Sequence, residues 1–159
     1  MIAEPDTLER CPFFECFRPK HLEQISELAT RLTFKPDQII FNEGEVSTHF
    51  YVVVSGRVAL EATVGERKIC IQTLFSGDEL GWSAMVGGRR QCQARALDLV
   101  ELLSFESARL REACDQNLHL AKAFLERLLS VVAERLQSTR LQLTSALAAA
   151  PPSQRIRSR

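Results

Sequence analysis

The spacing of apolar residues along the chain predicts helices at both ends of a segment that forms strands. Residues 20–32 place apolar side chains at helical spacing, which predicts an amphipathic helix. From residue 38 to residue 105 the period changes to two, and short apolar runs are separated by polar turns that contain glycine. Residues 50–54 are all aromatic or β-branched and give the clearest strand. This part of the pattern predicts an antiparallel sandwich or barrel.

A second helical pattern runs from about residue 117 to residue 149 without an internal glycine or proline. Two neighbouring rows of residues recur in it at intervals of seven: Leu129, Leu136 and Leu143, and beside them Leu125, Val132, Thr139 and Ala146. Such rows favour a coiled-coil homodimer over a helix that lies along its own domain. A helix of about 30 residues is also about 45 Å long, which exceeds a small sandwich. Thr139 either sets the register of the dimer or faces a ligand near the interface.

These patterns divide the chain into four parts. Prolines interrupt residues 1–18, which we expect to form an irregular N-terminal segment whose phenylalanines pack onto the domain. Residues 19–114 form the β-rich domain with its flanking helices, the last of them predicted at 106–114. Residues 115–149 form the long dimerisation helix. Residues 150–159 begin with two prolines and end in basic residues, and we expect a disordered tail.

Composition and spacing argue against several classes of function. The 20 basic and 20 acidic residues give a formal net charge of +0, which disfavours binding of nucleic acid by bulk electrostatics. The chain has five cysteines without paired C-x-x-C spacing, so a disulfide framework or a structural zinc site is not expected. A haem or iron–sulfur sensor would have to use Cys11, Cys16, His49 or His119. The histidines are too scattered for the metal centre of a cupin-type enzyme, and we expect neither a metal site nor catalysis.

Targeting signals are not predicted. The first residues are acidic and lack the positive start and apolar core of a signal peptide. No apolar window approaches the length of a membrane span. Free thiols are typical of a reducing compartment, and we therefore expect a cytoplasmic protein that does not bind membranes.

The chemistry of the chain is concentrated in residues 76–96. This stretch runs through Gly77 and Gly81 into a short apolar segment, residues 82–86, and then through two more glycines into Arg89 and Arg90. A turn that exposes backbone N–H groups beside a guanidinium is suited to bind an anion, because arginine donates two parallel hydrogen bonds to a phosphate. The same sequence is also compatible with a glycine hairpin that has two solvated arginines.

The whole pattern resembles the cyclic-nucleotide-binding domain of the catabolite-activator/FNR (Crp/Fnr) superfamily over about residues 10–148. The resemblance is carried by residues 41–45 (FNEGE), residues 50–58 (FYVVVSGRV), Gly77, Asp78, Gly81, Arg90, Ala94 and Ala96. It implies a mainly β fold, a double-stranded β-helix or jelly roll with flanking helices, followed by a long dimerisation helix.

The resemblance also implies a function, that of a non-catalytic sensor of a small molecule. Residues 77–96 would form its phosphate-binding cassette, in which Arg90 pairs with the phosphate of cAMP or cGMP. The family's glutamate, which accepts hydrogen bonds from the ribose 2′-OH, is replaced here by Trp82, a side chain with one N–H donor and no acceptor. The expected ligand-binding residues are Gly81, Trp82, Ser83, Ala84, Arg89, Arg90, Gln91 and Thr139.

Two interpretations of the domain therefore stay open. One is a working cyclic-nucleotide sensor in which Trp82 stacks on the base. The other is a degenerate domain of a Crp/Fnr-type transcription regulator, which binds another effector or serves mainly for dimerisation. No helix-turn-helix follows the long helix, so we expect a stand-alone module or part of a longer regulator, without direct DNA binding by this chain. Glu79 either supplies an acidic group from a shifted register or lies solvated at a strand end.

Overall fold

The structure is a computed structural model, and residues 5–149 are described. The predicted tail, residues 150–159, lies outside this range, so its disorder stays a prediction. In chain order the elements are α1 (Pro5–Glu9), a 3-10 turn (Pro12–Phe14), α2 (Pro19–Ser26), β1 (Ala29–Phe34), β2 (Ile39–Phe41), β3 (His49–Ser55), β4 (Val58–Val64), β5 (Arg67–Leu74), β6 (Glu79–Leu80), α3 (Ser83–Val86), β7 (Gln93–Ala96), β8 (Val100–Glu106), α4 (Ser107–Gln116) and α5 (Leu118–Ala149).

The strands form two four-stranded antiparallel sheets. Their orders are β1-β8-β3-β6 in one sheet and β2-β7-β4-β5 in the other. Alternate residues of both sheets point inward and form one apolar core, which contains Val53, Val58, Leu60, Ala94 and Leu102. The mainly β jelly roll with a long C-terminal helix is thereby confirmed. Within residues 5–149, no helix is both long and apolar enough to cross a membrane.

The chain separates into two compact units, Met1–Phe124 and Leu125–Arg159. The first unit contains both sheets, α1 to α4 and the first residues of α5. The second unit contains the rest of α5. The finer division at residues 18, 114 and 149 stays a prediction.

The helix predicted at residues 20–32 is wrong in its second half. α2 ends at Ser26, and residues 29–34 form β1. All six residues of β1 pair with β8, from Ala29 opposite Phe105 to Phe34 opposite Val100. The apolar spacing of residues 29–34 is locally compatible with a helix and with a strand. The strand forms because pairing with the edge of β8 satisfies the backbone N–H and C=O groups of both strands.

The N-terminal segment is more regular than its prolines suggested. It contains α1 and the 3-10 turn, so the prediction of an irregular segment is wrong, whereas its packing onto the domain is confirmed. Phe13 and Phe14 are at most 1% exposed. The ring centroid of Phe13 lies 5.3 Å from that of Phe50 in β3 and 5.8 Å from that of Phe124 in α5. Proline at the first position of a short helix is compatible with helical geometry, which explains the difference.

His21 in α2 is a buried histidine without hydrogen bonds. Its side chain is 2% exposed, and neither ring nitrogen has a partner among the residues that the structure describes. Burial, with the positive charge of Lys20, Arg18 and His119 nearby, lowers the pKa of His21 below its usual 6.5. The folded state therefore holds this ring neutral.

We expect the free energy of unfolding to fall as the pH drops below 6.5. The unfolded chain takes up a proton at about pH 6.5, whereas the folded chain resists it, so stability is full above that pH and declines below it. The slope from one proton is at most about 1.4 kcal/mol per pH unit. His21→Met should flatten the curve measured by urea unfolding at pH 5 to 7.5. An unchanged curve in His21→Met would contradict the assignment.

Candidate functional site

The site is built on residues 77–96, which contain the strands β6 and β7 with the short helix α3 between them. β6 leads into Gly81 (φ +83°), and α3 follows directly after Trp82. Gly87 ends α3 in a left-handed conformation (φ 73°), and the Gly88 N–H donates to the Ser83 carbonyl at 3.0 Å. The chain then enters Arg89 and Arg90. The glycines are thus placed where the backbone turns and a side chain would be strained.

Arg90 is the central side chain of this site. It is 5% exposed, and its Nη2 donates to the His49 carbonyl at 2.7 Å. The guanidinium carbon lies 4.1 Å from the ring centroid of Phe41 and 5.6 Å from that of Tyr51. Its Nη1 is buried and has no hydrogen-bond partner in the described part of the chain. One donor of a buried cation is therefore left for a ligand.

The backbone at Arg90 is held by the loop between β2 and β3. The Arg90 N–H donates to the Glu45 carbonyl at 2.9 Å, and the Gly44 N–H donates to the Arg90 carbonyl at 2.9 Å. The Ser47 N–H donates to the Gly88 carbonyl at 3.1 Å. This short ladder fixes the direction in which the Arg90 side chain leaves the backbone.

The electrostatic environment of Arg90 is dominated by burial. Loss of water lowers the pKa of its guanidinium, although Tyr51 and Glu45 oppose the shift. Burial likewise raises the pKa of the Tyr51 hydroxyl, and Arg90 opposes that shift. Between residues 5 and 149, no carboxylate forms an ion pair with Arg90. The charge is compensated by a carbonyl dipole and two aromatic faces.

Arg95 gives a contrast within the same segment. Its guanidinium forms an ion pair with Glu61, which is 6% exposed, and with Asp37 at 2.8 Å. Gln93 Nε2 donates to the same Glu61 carboxylate at 3.0 Å, and these contacts lower the pKa of Glu61. The hydrogen bonds to Glu61 raise the pKa of Arg95. Arg95 is therefore satisfied inside the protein, whereas Arg90 is not.

Gly81 lies against Arg90, and the other predicted site residues of this segment differ in their burial and contacts. Ala84 is fully buried, Trp82 is half-buried, and the Ser83 hydroxyl donates to the Ser47 hydroxyl at 2.8 Å. Arg89 and Gln91 are exposed; Arg89 Nη1 donates to the Gly44 carbonyl at 2.8 Å, and Gln91 Nε2 donates to the Arg89 carbonyl at 3.2 Å. Their roles toward a ligand stay predictions.

Two further residues need separate comment. Thr139 is an exposed residue of α5 in the second unit, and its part in the site stays a prediction. The solvated position that we weighed for Glu79 is wrong. Glu79 is 1% exposed because β6 pairs with β3, where it lies opposite Val52.

Sequence reasoning missed three neighbours of the site. Phe41 and Tyr51 were noted only as parts of the family pattern, although they support Arg90 directly. Arg111 in α4 donates through Nη2 to the carbonyl of Ala84 in α3 at 3.1 Å. No sequence signal marks Arg111, because the contact depends on how α4 packs beside α3. Within the described residues, no group of three or more His, Cys, Asp or Glu is placed to hold a metal ion.

Residues 31–117 match the family model of the cyclic nucleotide-binding domain. This is more than half of the chain, and the chain belongs to that family. The matched range contains the cassette, α4 and both sheets, apart from the first two residues of β1. No curated protein sequence matches the chain.

Solved structures similar to this chain include Crp/Fnr-type domains. The N-terminal domain of a transcriptional regulator from Streptomyces coelicolor A3(2) is 26% identical, with a TM-score of 0.69 over 84% of this chain and 94% of that one. The catabolite activator protein of Thermus thermophilus is 22% identical (TM-score 0.72), covering 85% of this chain and 62% of that one. A cyclic nucleotide-binding domain from Methylobacillus flagellatus KT is 16% identical (TM-score 0.77), covering 88% and 80%. The last two likenesses show the fold alone.

We expect Gly81→Ala to disturb the site more than Gly87→Ala does. Both glycines have positive φ, so alanine costs about 1–2 kcal/mol of conformational strain at either position. A Cβ at Gly87 meets nothing within 4 Å, whereas at Gly81 it would overlap Arg90 Nη1 and lie 2.8 Å from the His49 carbonyl oxygen. Crowding of this kind adds about 1–3 kcal/mol. Urea unfolding measures the difference, and equal losses in the two variants would contradict the close approach of Arg90.

Proposed function

We propose that this domain is a non-catalytic sensor that binds a small anionic ligand, a cyclic nucleotide such as cAMP or cGMP, at Arg90. The observation that carries the proposal is the buried guanidinium with Nη1 left without a partner among the described residues. Burying a charge is costly unless it is paired. A phosphate that accepts from Nη1 would supply that pairing, because arginine and phosphate form strong charge-assisted hydrogen bonds.

The remaining cassette residues would shape the pocket around the phosphate. In this proposal Gly81 lets the ligand and Arg90 approach the backbone, and Ser83 and Ala84 form the wall, with Ser83 supported by Ser47. Trp82 takes the place of the family's carboxylate and would stack on the base. Losing a charge-assisted hydrogen bond to the ribose costs about 1.5–3 kcal/mol, which is roughly ten- to a hundredfold in affinity.

We expect Arg90→Met to weaken cAMP binding at least a hundredfold, because the variant removes the positive charge and the Nη1 donor that would pair with the phosphate. The measurement is a calorimetric titration of the purified protein with cAMP and, separately, with cGMP. The fluorescence of Trp82, the only tryptophan of the chain, gives a second signal from the cassette. Arg57→Met is the matched control, because Arg57 is paired with Asp98 at 2.7 Å and lies outside the cassette.

Three outcomes of this titration are informative. Equal affinity for cAMP and 2′-deoxy-cAMP would support a site that has lost the ribose contact together with the glutamate. Unchanged binding in Arg90→Met would contradict the proposed role of Arg90. Binding of neither cyclic nucleotide by the wild-type protein would favour the second interpretation, a domain for another effector or mainly for dimerisation.

We further propose that the second unit forms a homodimer with the same helix of another copy. Leucines at seven-residue spacing are exposed along α5 in this unit, with exposures of 70% for Leu129, 61% for Leu136 and 58% for Leu143. A neighbouring row begins with Leu125, which is 58% exposed. An apolar row of this period fits an identical row of a second helix, since the period of seven is the repeat of a coiled coil.

We expect Leu129→Glu combined with Leu136→Glu to give a monomer, because four carboxylates would then meet at the seam of each dimer. Multi-angle light scattering after size-exclusion chromatography measures the mass. Gln137→Glu adds a carboxylate to an exposed position of α5 outside both rows and should leave the dimer intact. A wild-type monomer at micromolar concentration would contradict the proposal.

A further inference from the structure

We propose that Phe41 is a positioning residue for Arg90. The Phe41 ring packs against the buried guanidinium and stabilises its charge, so that Nη1 remains available to the anion. The inference rests on the proposed function, since it explains how the anion-binding group is kept ready. It assigns to Phe41 a role that differs from filling the core. The distinction can be tested because a cation responds to the electrons of a ring and not only to its volume.

The geometry places the ring directly against the cation. Phe41 ends β2 and is 6% exposed, and its ring centroid is 4.1 Å from the guanidinium carbon. The Phe41 ring stacks on Tyr51 at 6.1 Å, and Tyr51 stacks on the His49 ring at 6.1 Å. The carbonyl of His49 accepts the hydrogen bond from Nη2. Phe41 is thus the first of three consecutive rings, and the last belongs to the residue that binds Nη2.

On the side that faces Gly81, the Arg90 guanidinium packs closely against the backbone. Gly81 has no side chain, and a Cβ there would overlap Nη1. The guanidinium therefore has an aromatic face on one side and bare backbone on another. Nη1 lies between these boundaries without a protein acceptor among residues 5–149.

An aromatic face stabilises a cation without using its hydrogen-bond donors. A carboxylate would also stabilise the charge, but it would occupy the N–H groups, as Glu61 and Asp37 do for Arg95. The negative face of a benzene ring attracts the guanidinium through its quadrupole and leaves the N–H groups directed outward in the guanidinium plane. Phe41 therefore stabilises the buried guanidinium while its N–H groups remain available to a ligand.

The experiment changes the electrons of the ring at nearly constant shape. Phe41 is replaced by 4-fluoro-, 3,5-difluoro- and 3,4,5-trifluorophenylalanine through amber suppression, and cAMP affinity is measured by calorimetry. We expect a stepwise loss of affinity with each added fluorine, reaching at least tenfold for the trifluoro ring, with Phe41→Leu at least as weak. The same series at Phe105 is the matched control. Phe105 is 1% exposed and packs on Phe14 and Phe50, and its series should stay within threefold of wild type.

A flat fluorine series at Phe41, with cAMP still bound, would overturn the inference and leave the proposed function standing. If the wild-type protein binds no cyclic nucleotide, the proposed function fails, and ligand-free protein tests the inference by itself. Trifluorophenylalanine at position 41 should then lower the midpoint of urea unfolding in the protein that retains Arg90, and should leave it unchanged in the Arg90→Leu variant. An equal shift in both backgrounds would overturn the inference, because the ring would then act only as core.

Discussion

The structure depends on how the buried cation Arg90 is held inside a β-domain in which no carboxylate of residues 5–149 forms an ion pair with it. Arg90 is 5% exposed, and water no longer solvates its charge. The protein compensates the charge by a carbonyl from the start of β3 and by the faces of Phe41 and Tyr51. Gly81 provides the room, and the loop before β3 fixes the backbone. Arg90 is therefore held by contacts from several separate segments of the chain.

The two arginines of this segment differ in how their charge is compensated. Arg95 binds Glu61 and Asp37, and these contacts join β7 to β4 and to the turn before β2. Its charge is satisfied and supports the sheet. Arg90 lacks such a partner in the described chain, although it is the more buried of the two. The availability of a donor, more than the presence of a charge, marks Arg90 as the ligand-binding residue in our proposal.

The cassette also differs from the pattern of its family in ways that change its chemistry. Trp82 removes the acceptor that the resemblance places after Gly81, and the Ser83 hydroxyl is engaged with Ser47. In our proposal, what remains is a site for an anion between aromatic and small side chains. Arg111 connects α3 to α4, the helix that precedes α5, through a hydrogen bond to the Ala84 carbonyl.

The sequence by itself determined the β-rich core, the long α5, the family and the placement of Gly81 and Arg90 in one short segment. These features are local, because alternation, heptad spacing and glycines at positive φ are visible within a few residues. Only the tertiary structure decided that residues 29–34 form a strand, that Glu79 is buried, and that the Phe41 ring packs against the Arg90 guanidinium. Each of these depends on which segments pair across the sheets, and pairing between distant segments leaves no periodic signal in either segment.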